Sequence, residues 1–380
     1  MANGAERIRS PISFRTKLTL LVVSAMVAVL ASEVVLRCCW HNPYANELPD
    51  RMVKLRLLHA NADHQIDRSD IDGRKPNIRF RMDERSYILP SFQFENPDCT
   101  IAFLGGSTTE CCAVDEPVRF PALVSTLLEQ QSIRATTLNA GTSGNTIQDS
   151  INVLLNHVEQ DSPDVVVVMH ACNDIGLLAA DESYASRAGK IDGWKSNARS
   201  TILKLTCRSS LLGIARKVFN ERHGFLPTSM EAERERPVLA ESMKLDGAFE
   251  KRLRVFVRIA RALEIEPVIM TQPMSSEFTE LTPSWLNPPV QARFNDIVRR
   301  VGKEEGVLVI DLVQHLVETV PDWNEHLHVF YDGIHITDAG SRIYAHHIAS
   351  VLSQRITSSR YDNHGDFDTQ RTARVPLTNR

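Results

Sequence analysis

No surplus of positive charge and no basic stripe interleaved with aromatics runs through the 380 residues; the formal net charge is −4 and aromatics make up 6%. Proteins that grip phosphate backbones carry such a surplus, so nucleic acid is set aside as a partner. The seven cysteines (Cys38, Cys39, Cys99, Cys111, Cys112, Cys172 and Cys207) show no CxxC and no Cys/His spacing of a zinc site. An odd count leaves one unpaired; they read as small buried thiols whose connectivity stays open. Cys38 follows Arg37, so a lipobox is missing too. No segment repeats itself, and no A-x-A cleavage site follows the first apolar run.

That run is the first thing the sequence does have. Arg7, Arg9, Arg15 and Lys17 precede the uncharged "LTLLVVSAMVAVLAS", and the apolar character continues to Leu36 with Glu33 as its one interruption. At about 1.5 Å per residue, Leu18 to Leu36 spans roughly 28 Å, close to a bilayer core. The basic flank predicts an N-terminus in the cytoplasm and everything after Arg37 outside, a single-pass anchor. The competing reading is a secretory signal cut after Val29-Leu30-Ala31. Both export the rest of the chain.

Residues 1–40 are thus an N-terminal stub and span, and 41–97, broken by Pro43, Pro49, Pro76, Pro90 and Pro97, read as a juxtamembrane segment. From Cys99 an alternation begins. "CTIAFL", "ATTLNA", "PDVVVVMH", "EPVIMTQP" and "VLVIDLV" are strand candidates, separated by segments with apolar residues at three- and four-residue spacing. A last helix runs from about Asp338 to Leu352. Five strands alternating with helices predict a three-layer α/β domain, about 98–355, with a mainly parallel five-stranded sheet. The alternation lapses over an insertion at about 175–244, a lid or a solvated helical excursion. Residues 356–380 read as a disordered tail.

Ligands of such folds bind beyond the carboxyl ends of strands, and four short motifs sit there. "GGST" ends the first strand and presents Ser107. "NAGTSGNT" follows the second with Gly144 in a tight loop, and "HACND" puts Asn173 just past the third. "FYDGIHITDAG" places Asp332 three residues before His335, in the last loop before the final helix. A serine hydroxyl is a weak nucleophile until a base takes its proton, and histidine has the pKa for that task. A carboxylate beside the imidazole fixes its tautomer and stabilises its charged form. The Ser107 N–H, the Gly144 N–H and the Asn173 amide supply donors for a tetrahedral oxyanion.

Together these blocks resemble those of the SGNH hydrolases, also called GDSL-like esterases, over roughly residues 99–353. The resemblance implies a flavodoxin-like fold and a serine esterase or acyltransferase without metal or cofactor. It assigns Ser107 as nucleophile, His335 as base, Asp332 as its orienter, and Gly144 and Asn173 as oxyanion donors. Two positions depart from the family pattern: Gly106 stands where the first block has aspartate, and Ala171 where the third has glycine.

Neighbouring polar residues have plainer readings. Glu110 favours the dipole of a first helical turn, Asp174 is a cap or loop acceptor, Thr337 caps the last helix, and Asp311 is structural. His326, His328, His346 and His347 read as surface residues, and nothing makes Cys172 a nucleophile. The leading functional expectation is an exported, membrane-tethered hydrolase of O-acyl esters on a carbohydrate or cell-surface polymer, working through an acyl-serine. The alternatives are O-acyl transfer to a sugar hydroxyl from the same site, and a carbohydrate-binding module on the same fold. Oligomeric state is left open.

Overall fold

The computed structural model describes residues 13–40, 42, 55–68, 77–181, 183–184, 205–206, 208–223, 243–275, 288–325 and 328–362. The chain divides into two compact units, Met1–Arg51 with Ile191–Pro227, and Met52–Lys190 with Thr228–Arg380. In chain order the helices are α1 (Phe14–Cys39), α2 (Ser107–Glu110), α3 (Phe120–Glu129), α4 (Ile147–Asn156), α5 (Cys172–Asp181), α6 (Ser210–His223), α7 (Met243–Ala262), α8 (Pro288–Glu305), α9 (Leu312–Thr319) and α10 (Asp338–Asp362). The first unit holds α1 and α6. No residue of α1 is buried, and by length and composition it can cross a membrane, with a mean hydropathy of 2.3 over its most apolar window.

Among its described residues, the second unit holds seven strands. β1 (Asp63–Asp67) and β2 (Asn77–Arg81) form an antiparallel hairpin. β3 (Cys99–Gly105), β4 (Ala135–Asn139), β5 (Val165–Met169), β6 (Glu266–Met270) and β7 (Leu308–Ile310) form one parallel sheet in the order β4-β3-β5-β6-β7. This is the flavodoxin-like 2-1-3-4-5 order, and its strand order reverses between β3 and β5.

The period-two alternation of β3 and β5 builds the two halves of the core. Ile101, Phe103, Val165, Val167 and Met169 face a layer of α3 and α10, packed against Phe120, Val124, Leu128, Tyr344 and Ile348. Ala102, Leu104, Val166 and Val168 face the other way, onto α4, α7 and α8 through Ile151, Leu154, Phe249, Phe256 and Phe294. With both faces covered, β5 has no wet side, and all five of its residues are buried. The expected three-layer α/β/α architecture is what the chain adopts.

The start of this unit lies earlier than expected. The stretch read as juxtamembrane contributes the β1-β2 hairpin and a small core of Ala62, Phe80, Met82 and Ile88. Ile88 bridges Asn139 at the end of β4. Two arginines, each 1% exposed, lock this segment to the domain. Arg68 donates to Ala113 O at 2.8 Å and pairs with Asp338 at 3.1 Å. Arg119 donates to Leu89 O and Arg79 O, both at 2.8 Å, with its guanidinium over the Phe80 ring. At the other end α10 continues to Asp362, seven residues into the expected tail, and 363–380 lie outside the described residues. Of the expected insertion, α6 and the ends of α5 and α7 are described.

Candidate active site

β3 stops at Gly105 because the chain turns straight into α2, with Ser107 as its first residue. Gly106 permits a close approach. A Cβ there would lie 2.4 Å from the Asn173 amide nitrogen, so a side chain at 106 would require Asn173 or the serine turn to shift. The loop carrying Asp332 and His335 is closed by a bridge between Phe330 and Ile336 and by Tyr331 N donating to His335 O at 3.0 Å. Gly333 inside it has φ +89°, a left-handed conformation that a Cβ would strain. Asp332 Oδ1 accepts the N–H groups of Ile334 and His335 at 3.1 and 2.7 Å, which pins the carboxylate within one turn of the imidazole.

The result is one hydrogen-bonded chain. Ser107 Oγ lies 2.7 Å from His335 Nε2, and His335 Nδ1 lies 2.5 Å from Asp332 Oδ2. The four residues expected at one cleft, Ser107, Gly144, Asn173 and His335, are each half-buried amid buried neighbours. Asn173 donates one amide hydrogen to Asn145 O at 2.9 Å, which joins the third motif to the second. Among the described residues, no hydrogen bond from the N–H of Ser107 or of Gly144 is made to protein. Burial works against charging His335, but the Asp332 carboxylate, its hydrogen bond and the charge of Glu110 outweigh it, leaving the imidazole above its ordinary value. For Asp332 burial pushes upward, while the charge and hydrogen bonds of His335 hold the carboxyl below its usual range. A serine–imidazole–carboxylate chain of this geometry can take a proton from the hydroxyl and hold it as an imidazolium.

Three supporting residues went unread in the sequence. Glu110, taken as a helix-dipole carboxylate, is buried beneath the site and accepts the Ser143 N–H. Arg56, from the segment ahead of the hairpin, donates to Ser143 O at 2.9 Å. The residue before Gly144 is therefore held at both its N–H and its C=O. Gln272, past the end of β6, is 6% exposed; it accepts the Cys172 N–H at 2.9 Å and donates to Thr108 Oγ1 at 3.0 Å. It ties the serine turn to the start of α5. None of the three carries a motif, because each acts through main chain or through a residue distant in sequence.

The plainer readings fare unevenly. Asp174 accepts the first N–H of α4, from Ile147 at 3.1 Å, and also faces buried His170 and Tyr184. Thr337 Oγ1 accepts from Gly340 N, and Asp311 caps α9 through Gln314 N. Cys172 is buried, and its thiol is pushed up by that burial. His346 is exposed and His328 half-buried, while His326 lies outside the described residues. His347 corrects the surface reading: it is half-buried and stacks on His315 with centroids 4.0 Å apart. Among the described residues, no group of three or more His, Cys, Asp or Glu side chains could hold a metal ion.

The model of the GDSL-like lipase/acylhydrolase family matches residues 103–343, a span that opens two residues from the end of β3 and closes within α10. The chain belongs to this family. As a GDSL-like acylhydrolase it is a carboxylic ester hydrolase. Similar solved structures include the acetylxylan esterase Axe2 from Geobacillus stearothermophilus, at 17% identity and a TM-score of 0.41 over 68% of this chain and 95% of that one. A lipase/acylhydrolase from Enterococcus faecalis has 17% identity and a TM-score of 0.43, over 68% of this chain and 96% of its own. An acetyl xylan esterase, AlAXEase, has 17% identity and a TM-score of 0.42, with coverages of 67% and 99%. Comparison with curated proteins gives no match.

Proposed function

We propose that this hydrolase cleaves O-acyl esters of a carbohydrate or cell-surface polymer through an acyl-serine on Ser107. The reading is carried by the unbroken hydrogen-bonded chain from Ser107 through His335 to Asp332. In the first half-reaction Ser107 Oγ attacks the ester carbonyl carbon as its proton passes to His335 Nε2. The oxyanion that forms takes hydrogen bonds from the Ser107 N–H, the Gly144 N–H and the remaining hydrogen of the Asn173 amide. Collapse returns the proton from Nε2 to the departing sugar oxygen and leaves the acyl group on Ser107. Water, deprotonated by the same nitrogen, then adds to the acyl carbon; collapse breaks the bond to Ser107 Oγ, which takes the proton back from Nε2, and the acid is released. Asp332 keeps the Nδ1 hydrogen in place throughout and balances the charge on the ring.

The polymer substrate rests on the compartment. We read α1 as a single-pass anchor with the hydrolase unit outside the cytoplasm, where such polymers are found. A compartment-sensitive reporter fused after Arg380 tests this, and a signal only in the cytoplasmic format would overturn it. The chemistry is tested by treating the full chain with a fluorophosphonate and mapping the adduct. Labelling of Ser107, lost in Ser107→Ala and suppressed in His335→Ala, is the expected result. An active Ser107→Ala enzyme would overturn the mechanism. Assays on acetylated glycans with and without sugar acceptors separate hydrolysis from acyl transfer.

A further inference from the structure

α1 does not end freely. Glu33, the one charged residue inside the apolar run, receives the start of α6: Ser210 N at 2.8 Å, Leu211 N at 3.0 Å and Ser209 Oγ at 2.9 Å. One turn on, Arg37 donates to Glu33 Oε1 at 2.9 Å and to Arg208 O at 2.6 Å. Past Trp40, the buried Asn42 amide donates to Thr206 O at 2.9 Å. Residues 206 and 208–211 are thus fastened to the last turn of the span and the few residues after it. An isolated carboxylate at the rim of a hydrocarbon layer is costly, and a helix N-terminus with an arginine is a good way to satisfy it.

This fixes a depth. Glu33 stands three residues before Leu36, so α6 begins within roughly 5 Å of the end of the apolar run. Trp40 and Arg37, residue types that favour the headgroup layer, line an open depression of 460 Å³ there with Asn42 and Ser210. The buried face of this segment carries Thr206, Ser210 and Gly213. Exposed on the segment are Leu205 (50%), Leu212 (42%), Ala215 and Val218 (41%), the last three at three-residue spacing along α6, together with the cationic Arg208 and Lys217. A segment that hides small and polar residues and presents apolar side chains beside cationic ones at bilayer depth is built for the interface between headgroups and acyl chains.

We infer that the described residues 205–206 and 208–218 form an interfacial element that docks on the lipid surface of the membrane crossed by α1. The occupant of the apolar face is lipid. The inference rests on the reading of α1 as an anchor, and replaces the sequence expectation of a lid or a solvated excursion for this part of the insertion.

The test adds single tryptophans, Leu212→Trp or Val27→Trp, to the full chain with Trp40→Phe, reconstituted in phosphatidylcholine vesicles. Quenching by lipids brominated at different depths along the acyl chain is read against the Trp40→Phe chain alone. We expect Val27→Trp to be quenched best by deep bromines and Leu212→Trp best by the shallowest, each at least about twofold above background. Quenching of Val27→Trp with none above background at Leu212→Trp would overturn the interfacial helix and leave the anchor standing. No quenching of either would overturn the anchor, and the inference with it.

Discussion

Around Ser143 two side chains of opposite charge do one job. The Ser143 C=O and the Gly144 N–H belong to one planar trans peptide and point opposite ways. A guanidinium donating to that carbonyl therefore both aims the Gly144 N–H and polarises it toward whatever it faces. Loss of an oxyanion donor outright costs about a hundredfold or more in kcat, so if the Gly144 N–H serves as one in the proposed mechanism, Arg56→Met, which only weakens it, should lower kcat by about tenfold with KM little changed. Glu110 acts on the same loop through the Ser143 N–H and also raises the His335 pKa. The base must be neutral to accept the serine proton, so kcat/KM should rise with pH through a midpoint above the ordinary histidine value of about 6.5. Glu110→Gln removes one upward influence and should move that rise to lower pH; Arg56→Met should not. A pH–rate profile of both variants separates the two roles. These residues were not legible in advance for a physical reason. Ser107, Asp332 and His335, the residues of the proposed mechanism, stand out by residue type and by place after a strand or in the last loop, whereas Glu110 and Arg56 work on a main-chain peptide that no motif marks.

At the scale of elements, the strands and the site loops were readable because their signals are local. "VVVVM" can bury both faces only inside a parallel sheet, and Asp332-Gly333-Ile334-His335 closes its own turn. The β1-β2 hairpin was not readable. Its sequence is polar and interrupted by proline, and what holds it is long-range: two buried arginines spending their donors on backbone carbonyls and on Asp338. Arg119→Met keeps much of the volume but strands the carbonyls of Leu89 and Arg79. At about 1–3 kcal/mol for each buried group left unpaired, the expected loss is at least about 2 kcal/mol, measured by urea unfolding. On the opposite face of the sheet, Phe294 stacks on Phe249 with centroids 4.5 Å apart, both fully buried. Phe294→Ala should cost about 3–5 kcal/mol by removing that packing and leaving a cavity. A loss for Arg119→Met as small as that of an ordinary surface substitution would mean that the hairpin is not part of the cooperative unit.

Across the whole molecule, histidines that looked alike in the sequence divide by surroundings, and the division sets how stability follows pH. His170 is buried with its Nε2 2.7 Å from Ser150 Oγ, and burial holds its pKa down to about 3. His347 is held down to about 4 by burial and by the His315 ring stacked on it, against a smaller upward pull from Asp311. His315 is lowered by burial, with Glu318 opposing. These three rings stay neutral in the fold at a pH where the unfolded chain already binds protons. Their contribution is therefore present above about pH 6.5 and is lost as pH falls through their folded pKa values. His335 runs the other way: its raised pKa stabilises the fold below about 6.5, a contribution lost as pH rises through the folded value. Among the histidines three groups stand against one, while Glu110 and Asp161, whose carboxyls burial raises, act with His335. The histidine share is read by following the melting temperature from about pH 6.5 toward pH 4 in the inactive Ser107→Ala chain, where turnover plays no part. His347→Phe keeps a flat ring on His315 and removes one proton-binding site, so its melting temperature should fall less over the same interval while matching the parent near pH 7. Parallel curves for the two chains would show that the stacked pair is already protonated in the fold.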